Sequence, residues 1–435
     1  MLTDMKIVSA EEAVKVIKTG DRVHIHAIGC APQKLIQAMC ERGRRGEFSD
    51  VRIQHLHTEG PAPYTASEFE GVFFLESFFA GANVRKDTQA GYADYIPGFL
   101  QDTQRLIREG YCRPNVALIQ TTPPDKHGYV SLGCSVDATL AAIEKADTVI
   151  ATINPKMPRS FGDALIPMEM IDIFTEDDAP LMTAHFAQPT PEEERIGKHV
   201  AELIEDGATL QMGIGSIPNA VLSQLGNHKN LGIHTEMFAD GVLQLVRKGV
   251  INGMNKAIDR GKIVSTFVMG SQEVYDFLDD NPGVAMMDVG YTNNEFIIAK
   301  NPKVTAINSA LQVDLTGQVC ADSLGIKFYS GVGGQVDFIR GASMSEGGKP
   351  IIAMQSVTNK GVSKIAPVLT SGAGVVTSRA HVQWIVTEYG AVNLFGKTMQ
   401  ERAKLLISIA HPDHREELDR AAFERFGPHF HYVGK

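Results

Sequence analysis

GATLQMGIGSIPNAVLSQLGNHKNLGIHTE, residues 207–236, carries the order of elements that decides the fold. A glycine opens a short apolar strand ending near Met212, and a glycine turn, Gly213–Pro218, follows it. An apolar-periodic helix comes next, and His234-Thr235-Glu236 closes a second strand. Strand, turn, helix and strand in this succession predict parallel α/β layers. The same order occurs earlier. Gly20-DRVHIH precedes AIGCAPQKLIQAM from Ala27, which aligns without gaps to GIGSIPNAVLSQL from Gly213, and a second His-Thr-Glu follows at His57–Glu59. The expectation is a duplication: two similar open α/β domains with mainly parallel sheets, and an active site in the crevice between them.

Outward from these repeats, the clearest boundary lies at Ala187–Glu193, AQPTPEE. Thr190 suits an N-cap, Pro191 the first helical position, and Glu193 completes a capping box. Ile196, Val200, Leu203 and Ile204 then share one face, with Gly207 as the stop. This places one domain over residues 1–188 and the second over 189–435. Strands are expected at Val116–Gln120, Thr148–Ile153, Ile263–Val268 and Val375–Thr377, where β-branched residues gather. The opening stretch MLTDMKIVSAEEAVKVIKTG reads as an amphipathic helix with no export signal.

Bulk composition narrows the function. The chain has 435 residues, 43% hydrophobic and 21% charged, as in an ordinary globular protein of two or three domains. Its formal net charge of −10 argues against nucleic-acid or membrane-surface partners. No run approaches the roughly 18 apolar residues of a membrane span. The five cysteines, Cys30, Cys40, Cys112, Cys134 and Cys320, are scattered, which fits buried thiols in a reducing, cytoplasmic compartment.

Several motifs could carry chemistry. In Gly213–Pro218 the glycines allow close backbone approach, and the helix start offers unpaired N–H groups to an anion. A simple turn is the bland alternative. A dinucleotide fingerprint is a sharper one, but Pro218 occupies its third glycine position. Glu236 lies at a strand end, where ligands of open α/β sheets collect; a carboxylate there serves as base, metal ligand, nucleophile or merely a helix cap. In YSGVGGQVDFIRGA, residues 329–342, Gly331, Gly333 and Gly334 would let N–H groups converge on an oxyanion, or form a plain turn before a strand. Lys360 and Lys364 could meet phosphates, as could Arg340 and Arg379, or simply be solvated. His24 with His26, and His55 with His57, each share a strand face and offer a zinc reading. No carboxylate or cysteine spacing supports that reading, so no metal is expected.

Taken in order, FFAGANVRKDTQAGYADYIPGFL (78–100), QTTPPDKHGYVSLG (120–133), INPKMPRSFGDALI (153–166), GIGSIPNAV, HTEMFADG, GVGGQVDF and TSRAHVQWIVTEYG (377–390) resemble the acetyl-CoA hydrolase/transferase family, on the side of its 4-hydroxybutyrate and butyrate CoA-transferases. The resemblance implies a catalytic glutamate at Glu236 and an oxyanion loop at Gly331–Gly334, with Gly333 and Gly334 as donors. Gln211, Gly213, Gly215, Pro218, Gly331, Lys360 and Lys364 then form the candidate CoA-binding set. The implied substrates are acyl-CoA and short-chain carboxylic acids, with no tightly bound cofactor and a homo-oligomeric assembly. An acyl-CoA hydrolase on the same scaffold is the alternative. His26, Ile28, Cys30 and Pro61 are the first-domain candidates for acyl-chain preference.

Overall fold

A computed structural model describes residue 5 and residues 7–213 and 215–431. The chain divides into two units, one formed by Met1–His185 with Lys262–Asn293, the other by Phe186–Gly261 with Asn294–Lys435.

In the first unit, β1 (Arg22–Ile25), β2 (Val51–Gln54), β3 (Phe73–Ser77), β4 (Ala93–Tyr95), β5 (Val116–Thr121), β6 (Thr148–Ile153) and β7 (Ile173–Glu176) form one sheet. Its order is β7-β6-β5-β1-β2-β3-β4, parallel throughout. The strands are short runs of Val, Ile and Leu, and β5 is buried at all its positions, as expected where both sheet faces are covered. Helix α1 (Gln33–Arg44) follows β1 and buries Leu35, Ile36 and Met39 with Val23, Ile53 and Leu75.

The second unit repeats this plan. Helix α2 (Pro191–Ala201) begins at the Thr190–Glu193 capping box, and both of its reciprocal bonds are present. Then come β8 (Thr209–Met212), α3 (Ser216–Gln224), β9 (Gly232–Ile233), β10 (Thr305–Asn308), α4 (Gln335–Met344), β11 (Lys349–Ala353), β12 (Trp384–Thr387) and β13 (Gly390–Asn393). The order is β9-β8-β10-β11-β12-β13, parallel except for the last pair. In each unit the second strand pairs on one side of the first and the chain then crosses to the other side. The order therefore reverses between β1 and β5, and between β8 and β10. Open α/β sheets bind ligands at the carboxyl ends of the strands flanking such a reversal.

Five expectations differ from the structure. Instead of a single cut at 188/189, the chain returns to the first unit at Lys262. There Ile263–Ser265 pairs in parallel with Val284–Met286, which pairs with Phe161–Gly162, and Arg108 reaches Asp288 at 2.9 Å. Helix α2 stops at Ala201, short of Gly207, whose φ of 78° instead shapes the turn into β8. The run Ile263–Val268 breaks at Thr266, because its backbone carbonyl and hydroxyl accept from Val136 and Asp137. Val375–Thr377 is no strand, and Thr377 makes only an isolated bridge to Val319. The N-terminal helix is short, Ala10–Ala13, capped by Ser9 and extended by one 3-10 turn.

Candidate active site

The carboxyl edge of the second sheet gathers most of the residues singled out above. At the end of β8, Gln211 accepts from Asn308 Nδ2 at 3.0 Å, which ties the ends of β8 and β10 together across the reversal. With Oε1 so used, Gln211 has its amide N–H groups for another acceptor. Gly213 and Gly215 follow. A Cβ at either would meet nothing within 4 Å, and Gly215 takes φ 117°, a conformation open to glycine. Ile214 between them lies outside the described residues. Gly215 is the N-cap of α3, and Pro218 falls in that helix's first turn, where a missing N–H removes no intrahelical bond. Ser216 donates to Glu193 Oε1 at 2.6 Å, fastening the start of α3 to the start of α2.

Glu236 comes three residues after the end of β9 and is partly exposed. Thr235 anchors it from below: its Oγ1 accepts from Met212 N at 3.3 Å and lies 3.0 Å from Met212 O and 2.9 Å from Met237 O. The residue before Glu236 is therefore pinned to the last residue of β8.

The glycine loop reaches the same edge by a different route. Gly331–Gly334 leads into helix α4, not into a strand. Gln335, the first residue of α4, donates to Ser309 O at 2.7 Å, one residue beyond β10, and accepts from Thr377 Oγ1 at 2.9 Å. The start of α4 is thus held at the carboxyl end of β10. Gly333 takes φ 62° and Gly334 is the N-cap of α4, so the loop's last amides belong to a helix start with unpaired N–H groups.

The two lysines part company. Lys360 is exposed at the tip of a β-turn. Lys364 is partly buried, and burial pushes its ammonium down to about 8 against the pull of Glu388. Glu388 sits just after β12 and accepts from Ser356 N at 2.9 Å and Ser356 Oγ at 2.7 Å. Lys364 N donates to Ser356 O at 2.8 Å, which holds this residue at the sheet's carboxyl edge, whereas Lys360 stands on the turn tip. Arg379 N donates to Gln318 Oε1 at 2.5 Å, and Arg340 is exposed on α4.

In the first unit the His-Thr-Glu at 57–59 occupies the matching place beyond β2. Ile28 N donates to His57 O at 2.6 Å and Glu59 N to Ile28 O at 3.1 Å. There Glu59 has His57 Nε2 at 3.0 Å as partner. The other three histidines of the two strand pairs serve as buried hydrogen-bonding groups. His24 Nε2 lies 3.1 Å from Thr139 Oγ1, His55 Nε2 lies 2.9 Å from Tyr64 OH, and His26 uses both ring nitrogens, on Ser135 O and Gln120 N. Burial pushes His24 and His55 down to about 3, so both are neutral at ordinary pH. Of the acyl-preference candidates, His26, Ile28 and Cys30 are fully buried, and only Pro61 is exposed. All five cysteines are free and buried.

Sequence reading had no signal for three contributors: Asn308, which orients Gln211; Glu388, which receives Ser356; and Lys256, a buried lysine bonded to β9. Each acts across a long sequence separation, and the first two stand at strand ends that only sheet order brings together.

The N-terminal domain of the acetyl-CoA hydrolase/transferase family matches residues 4–184, and the C-terminal domain matches residues 270–422. The chain belongs to the acetyl-CoA hydrolase/transferase family. Glu236 lies between the two matched ranges. A succinyl-CoA:acetate/propanoyl-CoA:succinate CoA transferase of Fasciola hepatica is 50% identical over 96% of this chain and 87% of its own length. A 4-hydroxybutyrate coenzyme A transferase of Clostridium kluyveri is 47% identical, covering 97% of this chain and 98% of the relative. Among solved structures, RipA from Yersinia pestis superposes with a TM-score of 0.91 at 36% identity, covering 97% of this chain and 98% of that one. A 4-hydroxybutyrate CoA-transferase from Porphyromonas gingivalis gives 0.84 at 37%, with the same coverage. Among the described residues no helix is long and apolar enough to cross a membrane.

Proposed function

We propose that the protein is a CoA-transferase that moves CoA from a short-chain acyl-CoA, of the 4-hydroxybutyryl, butyryl or acetyl kind, to a free carboxylate such as acetate, with Glu236 as the nucleophile. The observation that carries this reading is the arrival of Glu236 and the Gly331–Gly334 loop, by separate routes, at one carboxyl edge beside a topological reversal. The names of the relatives support the reaction type.

The chemistry runs in four balanced steps. The Glu236 carboxylate attacks the thioester carbonyl, the C–S bond breaks, and a mixed anhydride and CoA thiolate form. The thiolate attacks the glutamyl carbonyl, expelling the first carboxylate and leaving a glutamyl-CoA thioester. A second carboxylate attacks that thioester, forming a new anhydride and releasing thiolate. The thiolate then attacks the new acyl carbonyl and frees Glu236. Covalent division of one hard exchange into easier steps predicts ping-pong kinetics. Each tetrahedral intermediate carries an oxyanion, and amides at Gly333 and Gly334 are suited to receive it; such a donor contributes about 3 kcal/mol. Binding of the remote nucleotide and pantetheine positions the thioester without itself reacting.

Intact-protein mass spectrometry after mixing with acetyl-CoA or butyryl-CoA tests the proposal. The expected result is a gain of CoA less water, mapped to Glu236 and lost on adding excess carboxylate. Rapid CoA release that needs no carboxylate acceptor, with no adduct, would instead show a hydrolase.

A further inference from the structure

Strand β9 is two residues long and lies at the edge of its sheet, yet it is the strand that delivers Glu236. Its inner side is paired with β8 through Gly232 N to Ala208 O at 2.9 Å and His234 N to Leu210 O at 3.1 Å. In the first unit the outer side of the corresponding strand, β2, is covered by β3. Among the described residues no strand of the second sheet covers β9. Its outer groups are met instead by the segment 250–256. Leu231 N donates to Val250 O at 2.9 Å, and Leu231 O accepts from Asn252 N at 3.0 Å and Gly253 N at 2.9 Å. Among the described residues, the next outward carbonyl, Ile233 O, has no backbone donor opposite it. It accepts at 3.0 Å from the ammonium of Lys256, a residue only 3% exposed.

We propose that Lys256 is a positioning residue for Glu236: its ammonium substitutes for the missing neighbour strand and holds the end of β9 in register, three residues before the nucleophile. The proposal rests on the reading of Glu236 as nucleophile. A lysine is rarely buried unless its charge has a specific partner. Burial pushes this ammonium down to about 8 against the pull of Asp259, so it stays mainly protonated at neutral pH and donates a charge-assisted bond. The packing is equally specific. A Cβ added at Gly232 would lie 2.7 Å from Lys256 Cγ and 2.9 Å from its Cδ, so glycine is what lets the lysine stem cross under the strand. With Thr235 pinned to Met212 on the inner side, β9 is held from both flanks immediately before Glu236. Misplacing a nucleophile by a fraction of an ångström lowers the rate of attack more than it weakens substrate binding.

The experiment is a rapid-quench single turnover of the full chain with butyryl-CoA, following the CoA adduct by intact mass, alongside steady-state kinetics. Lys256→Met is expected to slow adduct formation by at least ~10-fold and to lower kcat alike, with KM for acyl-CoA changed less than about 2-fold. Wild-type adduct kinetics in a folded Lys256→Met protein, even one of lower thermal stability, would overturn the proposal and leave the lysine a structural filler. Should that variant not fold, Gly232→Ala displaces the lysine stem while keeping its charge; the same slowing supports the proposal and an unchanged rate overturns it. If the wild type carries no adduct, the nucleophile reading fails on its own. Lys256 is then judged by kcat: a selective loss retains it as the residue that positions β9, and no loss removes it.

Discussion

The Thr235 hydroxyl engages both backbone groups of Met212, accepting from its N–H at 3.3 Å and lying 3.0 Å from its carbonyl oxygen. One buried side chain thereby joins the last residue of β8 to the residue before Glu236. Thr235→Val keeps the shape and removes the bonds. It leaves a buried N–H short of a partner, a loss of about 1–3 kcal/mol. Urea unfolding should show that loss, and kcat should fall with it while KM holds; unchanged kcat would separate the anchor from the chemistry.

The two His-Thr-Glu segments are topological counterparts, and in the first of them Glu59 has His57 Nε2 at 3.0 Å. Glu236→Ala is expected to lower acyl exchange by at least ~1,000-fold, the scale seen when a covalent nucleophile is removed. Glu59→Ala is expected to retain exchange. An exchange assay with labelled acetate decides this, and the reverse pattern would move the nucleophile to the first unit.

Gly333 takes φ 62°, where a side chain adds strain of roughly 1–2 kcal/mol. Gly333→Ala should therefore disturb the loop that feeds α4 more than the global fold. The expected signature is a kcat lower by roughly 100-fold, matching loss of one oxyanion donor, with a small change in thermal midpoint. A fall confined to KM would assign the loop to binding instead.

Burial holds His24 and His55 at about 3, against an ordinary value of 6.5. Between these values the unfolded chain binds more protons than the folded one, so stability rises with pH across that window. The contribution is fully present above 6.5 and is lost as pH falls toward 3. At about pH 5 each histidine should remove roughly 2 kcal/mol, less where His24 and its neighbour His26 interact. Urea midpoints at about pH 7 and pH 5 measure the loss. A His55→Phe variant should reduce the dependence, and an unchanged pH slope would contradict the assignment.

The local geometry around the candidate site was legible because it depends on near neighbours in the chain. Thr190 and Glu193 are three residues apart and cap one helix, and the glycines of 213–215 and 331–334 announce turns at helix starts. The internal repeat likewise foretold two sheets whose second strand is followed by His-Thr-Glu. Lys364 shows the limit. As a sequence feature it is one lysine of a polar stretch beside Lys360, and only the packing of β11 and β12 draws it toward Glu388. Asn308 and Gln211 are 97 positions apart and meet because β8 and β10 are neighbours.

By itself the sequence determined the strand–turn–helix units, their duplication, the motif-bearing loops and the family, since these depend on hydrophobic period, caps and glycine placement over a few residues. Tertiary structure alone decided that Lys262–Asn293 rejoins the first unit, that β9 stands at the edge of its sheet, and that Lys256 bonds Ile233 O there. The physical reason is that a backbone carbonyl's partner is set by which strand edges remain open after the sheet is assembled. That is a property of long-range order, which residue periodicity does not encode.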